Sequence, residues 1–176
     1  MDKPLVVNFI GGPGSGKSTL ASAVFSKLKM KTYNVEIVTE FAKDLCWSER
    51  QAELGNQVYV LGKQYHRLWR LKGKVLAIIT DSPLMLSKVY NNNLAHLNPL
   101  VDELINQFTN INYLVKRHDR NYVREGRNQS YNEAITLDSK IAGVCGHDFI
   151  EVKASDETAI EISNRIELLI NLQRIQ

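Results

Sequence analysis

The sequence predicts an α/β fold organised around a parallel sheet. Three observations carry that expectation. Short apolar runs alternate with stretches of helical periodicity along the chain, the pattern of strands joined by crossover helices. The first run is joined to the first helical stretch by a glycine-rich turn, Gly11-Gly12-Pro13-Gly14-Ser15-Gly16-Lys17-Ser18-Thr19. Two later runs end in a carboxylate, Glu40 and Asp81, at the strand ends where open α/β sheets collect ligands.

The turn fits the phosphate-loop pattern G-x-x-x-x-G-K-[ST] at every fixed position. Leu5 to Ile10 before it reads as a buried strand, and Leu20, Ala21, Val24, Phe25 and Leu28 after it recur at helical spacing. A strand, a tight turn and a helix start let backbone N–H groups wrap a polyphosphate, with the positive end of the helix dipole behind them. Gly12, Pro13, Gly14, Ser15, Gly16, Lys17, Ser18 and Thr19 are therefore the candidate ATP-binding residues. Lys17 is placed to reach the β- and γ-phosphates, and the Ser18 hydroxyl to ligate Mg²⁺.

The second strand is expected over Val35 to Thr39, with Glu40 at its end facing either the site or the start of a helix. One long helix is expected from Glu49 to Lys72, burying a stripe of Leu54, Val58, Leu61, Tyr65 and Leu68. Gly55 and Gly62, seven residues apart, would lie on one face and admit close packing. Gln57 and Gln64 are candidate contacts to a base or sugar, or else surface residues. The third strand, Val75 to Thr80, leads into Asp81-Ser82-Pro83. A carboxylate there can hold Mg²⁺ through water or accept a proton from an attacking hydroxyl; it can also cap the helix beginning near Pro83. Ser82 is a lesser substrate-binding candidate.

Helices are expected over Met85 to Asn93 and Pro99 to Phe108, and a fourth strand over Ile111 to Val115. Lys116, Arg117, Arg120, Arg124 and Arg127 then fall within twelve residues. Arginine makes forked contacts to phosphate oxygens. A lid over residues 117–130 is expected, with Arg120, Arg124 and Arg127 as catalytic candidates; a solvated basic loop or a nucleic-acid patch would look the same. A helix over Tyr131 to Val144, a strand over Phe149 to Val152 and a final helix from Asp156 complete the chain. Ser155 and Asp156 either lie beside the base or cap that helix.

Composition sets the bounds. A length of 176 residues suits one phosphate-loop domain spanning 1–176. No apolar run approaches the roughly 18 residues that cross a bilayer, and Met1-Asp2-Lys3-Pro4 leads straight into the first strand, so neither a membrane span nor a secretion signal is expected. The two cysteines, Cys46 and Cys145, lack metal or redox spacing, which suits a reduced cytoplasmic setting. A net charge of +3 is too small to imply nucleic-acid binding by itself.

Of the classes that share the loop, a GTPase switch needs N-K-x-D to read guanine, and Lys116-Arg117-His118-Asp119 keeps only the aspartate. Motor and remodelling ATPases carry an acidic pair after the third strand, where Asp81 is followed by Ser82. A small-molecule kinase needs the loop, an acid at a strand end, an acceptor pocket and an arginine lid, and each has candidates here.

The phosphate loop, Glu40-Phe41-Ala42-Lys43-Asp44, Ile78-Ile79-Thr80-Asp81-Ser82-Pro83 and Glu125-Gly126-Arg127-Asn128-Gln129 together resemble the nicotinamide-riboside-kinase-like ATPase family and the small phage-encoded nucleotide kinases related to it. The resemblance implies a three-layer P-loop NTPase fold, with a five-stranded sheet in the order 2-3-1-4-5 and helices on both faces. It implies phosphoryl transfer from ATP to a nucleoside or nucleotide, with Glu40 and Asp81 near the acceptor hydroxyl and Arg120 to Arg127 as the lid. Riboside kinases of that family carry a further acid near Asp81, where this chain has Thr80 and Ser82, so the acceptor is not inherited.

The expectation is an ATP- and Mg²⁺-dependent nucleoside or nucleotide kinase in the cytoplasm, that of a host if the chain is phage-encoded. A kinase acting on a hydroxymethylated pyrimidine or 5′-hydroxyl of DNA, and an ATPase or regulator without a small-molecule acceptor, are the alternatives. Leu94, Leu97 and Leu100 would serve either a homodimer or the core.

Overall fold

A computed structural model describes residues 3–118, 129–146 and 148–173. Its five strands are β1 (Leu5–Ile10), β2 (Val35–Val38), β3 (Ala77–Thr80), β4 (Thr109–Lys116) and β5 (Ile150–Lys153). They form one sheet in the order β2-β3-β1-β4-β5, every pair parallel, as expected. In register, Val6 lies between Ile78 of β3 and Asn110 of β4.

The alternation of β1 divides the core in two. Leu5, Val7 and Phe9 face α1 (Lys17–Met30) and α8 (Asp156–Gln173), where Leu20, Val24, Leu28, Ile162, Ile166 and Ile170 close the layer. Val6 faces Leu61 and Leu68 of α4 (Gln57–Trp69) and Val101 of α6 (Leu97–Ile105). Ile10 meets Leu86 and Val89 of α5 (Leu86–Val89) and Ile141 of α7 (Tyr131–Cys145). Between them Asn8, a polar residue in a buried strand, donates from its amide to the side-chain oxygens of Asn110 (3.0 Å) and Asn112 (2.9 Å). A central strand covered on both faces must be apolar throughout or have its polar groups matched, and Asn8 is the matched case.

Glu40 stands at the start of a helix, α2 (Phe41–Trp47), one of the two positions expected for it, whereas the long helix expected over Glu49 to Lys72 is two, α3 (Gln51–Gly55) and α4, broken at Asn56. Asn56 leaves the helical region (ψ 89) and its side chain accepts the Tyr59 N–H at 3.1 Å, capping α4 in place of a continuing turn. Helical spacing is not carried through that break, so Val58 is exposed and not part of a buried stripe. A Cβ on Gly55 or Gly62 would meet nothing within 4 Å, so neither glycine serves a close approach among the described residues.

The helix expected to Asn93 stops at Val89. Shortly after it, Asn91 accepts the Leu94 N–H through its side-chain oxygen and donates to the Leu94 carbonyl, building a turn. Leu97 is core, whereas Leu94 and Leu100 are exposed. No helix among the described residues is long and apolar enough to cross a membrane.

Candidate functional site

A cavity of about 770 Å³ opens at the carboxyl ends of the strands. The phosphate loop forms one wall. Glu40 with α2, α3 and α4 forms the second, Ser82, Pro83 and α5 the third, and Leu137 and Lys140 of α7 the fourth.

The loop is shaped by its last glycine. Gly16 is left-handed (φ 98) at the N-cap of α1, and a Cβ there would come 2.9 Å from the Cβ of Ala154. Upstream, the Ser15 N–H closes the turn on the Gly12 carbonyl at 3.2 Å. Among the described residues no side chain caps α1, and the Leu20 N–H donates to the Gly16 carbonyl at 3.0 Å. The N–H groups of a helix's first turn have no partner within the helix. With Gly14, Gly16, Ser18 and Thr19 on the cavity, they form an anion site. The Ser15 hydroxyl is buried there without a partner among the described residues.

Lys17 is only 7% exposed, and its ammonium lies 3.8 Å from the Glu40 carboxylate. Glu40 is presented by its neighbours. The Gln64 side-chain carbonyl accepts the Phe41 N–H at 2.9 Å, and its amide donates to the Thr39 carbonyl at 3.3 Å. Arg67 also donates to the Thr39 carbonyl, at 3.1 Å. Gln64 therefore lines the cavity but spends both ends of its amide on the backbone flanking Glu40. Gln57 lines it too, with its amide donating to the Leu54 carbonyl at 3.0 Å.

Asp81 is 5% exposed, and its Oδ1 is buried without a partner among the described residues. Ser82, the next residue, is on the cavity wall; Asp81 is not itself part of it. The Thr80 hydroxyl fixes this corner: it donates to the Val38 carbonyl at 2.8 Å and accepts the Ser82 N–H at 3.1 Å. A buried carboxylate with a bare oxygen is costly unless a cation reaches it.

The oxygen donors Ser18, Glu40 and Asp81 fit Mg²⁺, a hard cation held by one or two carboxylates together with substrate phosphates. No group of three or more His, Cys, Asp or Glu that could hold a metal occurs among the described residues, and a phosphate-carried cation requires none.

Gly12 differs from its neighbours in the loop. Its N–H donates to Asp138 Oδ1 at 3.1 Å, and neither residue lines the cavity. Ser155 accepts the Thr158 N–H at 3.1 Å and so caps the start of α8, while Asp156 pairs with Lys27 at 2.9 Å. Arg120, Arg124 and Arg127 lie outside the described residues.

Several wall residues were not singled out by the sequence: Cys46, Ser87, Tyr90, His118 and Lys140. Burial, and then the charge of Glu40, pushes the Cys46 thiol above its ordinary value. Lys140 donates to the Val89 carbonyl and ties α7 to α5.

The chain finds no match among curated proteins. Among solved structures it is similar to a deoxyadenosine kinase from M. mycoides, solved with dCMP and dCDP bound, at 19% identity and a TM-score of 0.57, over 97% of this chain and 100% of that one. It is also similar to the APS kinase of Mycobacterium tuberculosis in complex with AMPPNP and APS, at 17% identity and a TM-score of 0.58, over 95% of this chain and 99% of that one. These likenesses show the fold, the P-loop α/β architecture with the same arrangement of sheet and helices. The family model described as an AAA domain matches residues 6–158, most of the sheet and the whole of the loop, and the chain belongs to the AAA domain family.

Proposed function

We propose that this protein is an ATP- and Mg²⁺-dependent kinase that transfers the γ-phosphoryl group to a hydroxyl or phosphate of a nucleoside or nucleotide. One observation carries the reading. The cavity lined by the phosphate loop is lined also by Glu40, Ser82 and residues of α3, α4 and α5. Its volume of about 770 Å³ is in the range of small-molecule sites and leaves room beside a triphosphate. An ATPase whose acceptor is water needs no such additional space.

In this reading the loop amides and Lys17 hold the β- and γ-phosphate oxygens. Ser18 and Asp81 would hold Mg²⁺, which would supply positive charge against the phosphates. The acceptor hydroxyl comes in from the α3–α5 side. Its oxygen bonds to the γ-phosphorus as the bond to the β-phosphate oxygen breaks. The proton passes to Glu40 or Asp81, and ADP leaves. Burial of Lys17 strengthens its attraction for the transferred group. Arg120, Arg124 and Arg127 are proposed to balance charge as a lid. Both solved neighbours named above are kinases, and the likeness to riboside kinases points the same way.

The test is incubation with γ-labelled ATP, Mg²⁺ and a panel of nucleosides and nucleotides. Label on one acceptor with matching ADP is the expected result. ADP and inorganic phosphate with no labelled acceptor would favour a nucleotide hydrolase.

A further inference from the structure

Three bonds converge on the Asp138 carboxylate. Oδ1 accepts the Gly12 N–H at 3.1 Å and Arg117 Nη2 at 3.2 Å, and Oδ2 accepts Arg117 Nε at 2.8 Å. The three residues come from different places: Gly12 from the phosphate loop after β1, Arg117 from the residue after β4, and Asp138 from the middle of α7. The approach is close enough to exclude any side chain at Gly12, since a Cβ there would lie 2.2 Å from Asp138 Oδ1 and 3.2 Å from Arg117 Nη2. Arg117 is itself largely enclosed, with a side chain 12% exposed and its guanidinium 5.9 Å from the centre of the Tyr131 ring.

A carboxylate beside a loop built to receive a triphosphate is electrostatically misplaced unless its charge is cancelled. The forked arginine cancels it and orients it. We infer that Asp138 is a positioning residue of the phosphate loop, latching it at Gly12, and that Arg117 serves the loop by neutralising Asp138. The latch holds the loop in its nucleotide-ready shape before nucleotide arrives, so that less ordering remains to be done on binding. This rests on the proposed binding of a triphosphate at the loop.

The charges make a specific pattern of effects. Asp138→Asn keeps an oxygen for the Gly12 N–H and removes the negative charge, so affinity should stay within about threefold of the original. Asp138→Ala removes the acceptor and should weaken nucleotide binding about tenfold, the scale of one lost hydrogen bond. Arg117→Met leaves an unpaired carboxylate against the loop and should weaken binding about tenfold or more. Arg117→Met combined with Asp138→Asn should recover to within about threefold of the original, because the repelling charge is gone.

The experiment titrates the fluorescent nucleotide mant-ATP, with Mg²⁺, into the full chain and these four variants. It also follows hydrogen exchange of the peptide that contains Gly12 in the nucleotide-free protein. Expected are the recovery in the double variant, and faster exchange in Asp138→Ala but not in Asp138→Asn. A double variant as weak as Arg117→Met would overturn the inference and assign Arg117 to the nucleotide itself. Exchange at Gly12 unchanged by Asp138→Ala would overturn it as well. Should the original chain not bind mant-ATP, the functional reading falls, while the exchange measurement still decides the latch.

Discussion

The Lys17 ammonium and the Glu40 carboxylate face each other at 3.8 Å across the cavity. One opens α1 and the other ends the segment after β2. At that separation the pair is a loose one, and Glu40 is a quarter exposed. A triphosphate can therefore draw Lys17 to itself with little to break. The pair keeps the lysine charge balanced until then.

Lys17→Ala removes the charge that meets the phosphates. Turnover should fall by about 10² to 10³-fold, the scale of one preorganised charged donor. Circular dichroism and the unfolding midpoint should change little, since α1 tolerates alanine. Steady-state ADP release checks the first expectation.

Asp81 predicts a conflict between stability and activity. Its carboxylate is buried with one oxygen unmatched among the described residues. Asp81→Asn should leave the nucleotide-free protein as stable as before, or more so, because a buried charge is gone. Turnover should fall by about 10² to 10⁴-fold through loss of a metal ligand or proton acceptor. Thermal unfolding without ligand, beside activity, separates the two effects.

Thr80 supports Asp81 without entering the site. Thr80→Val keeps the shape and loses the bonds to the Val38 carbonyl and the Ser82 N–H. The buried carbonyl and amide left behind should cost about 1–3 kcal/mol in urea unfolding. Activity should fall less than in Asp81→Asn, as the corner loosens but keeps its carboxylate.

The thiols predict a stability slope in alkali. Burial raises Cys145 from the ordinary thiol value of 9.0 to about 11. Between those values the folded chain keeps a proton that the unfolded chain has lost. Stability from this group is complete below the ordinary value and is lost as pH rises through the folded one. Cys145→Ala should flatten the fall in urea midpoint over that window. Cys46 and Tyr113 shift the same way and leave a residual slope.

The sequence announces what is local. The loop, its strand and its helix are contiguous from Leu5 to Met30, so spacing and glycines suffice to place them. Glu40 and Asp81 follow from their position after apolar runs. The sheet order follows from the family resemblance, and the structure has it. What spacing misses are the contacts made in three dimensions. Gln64 resembles a substrate ligand in sequence, yet holds the backbone around Glu40. Asp138 sits 126 residues from Gly12, on a helix whose apolar period says only which side is buried. The break at Asn56 was signalled by Gly55-Asn56, a pair that ends helices, but hydrophobic spacing on both sides masked it.

The central claim is that the γ-phosphoryl group leaves the loop for an acceptor in the same cavity. Phosphorus NMR of ATP with Mg²⁺, the protein and the nucleoside or nucleotide panel follows this directly. The account predicts that the γ resonance declines while a new phosphate ester or anhydride of one acceptor grows at the same rate, and that Lys17→Ala slows both changes by about 10² to 10³-fold. Conversion of the γ resonance to inorganic phosphate alone, or equal transfer by Lys17→Ala, would contradict it.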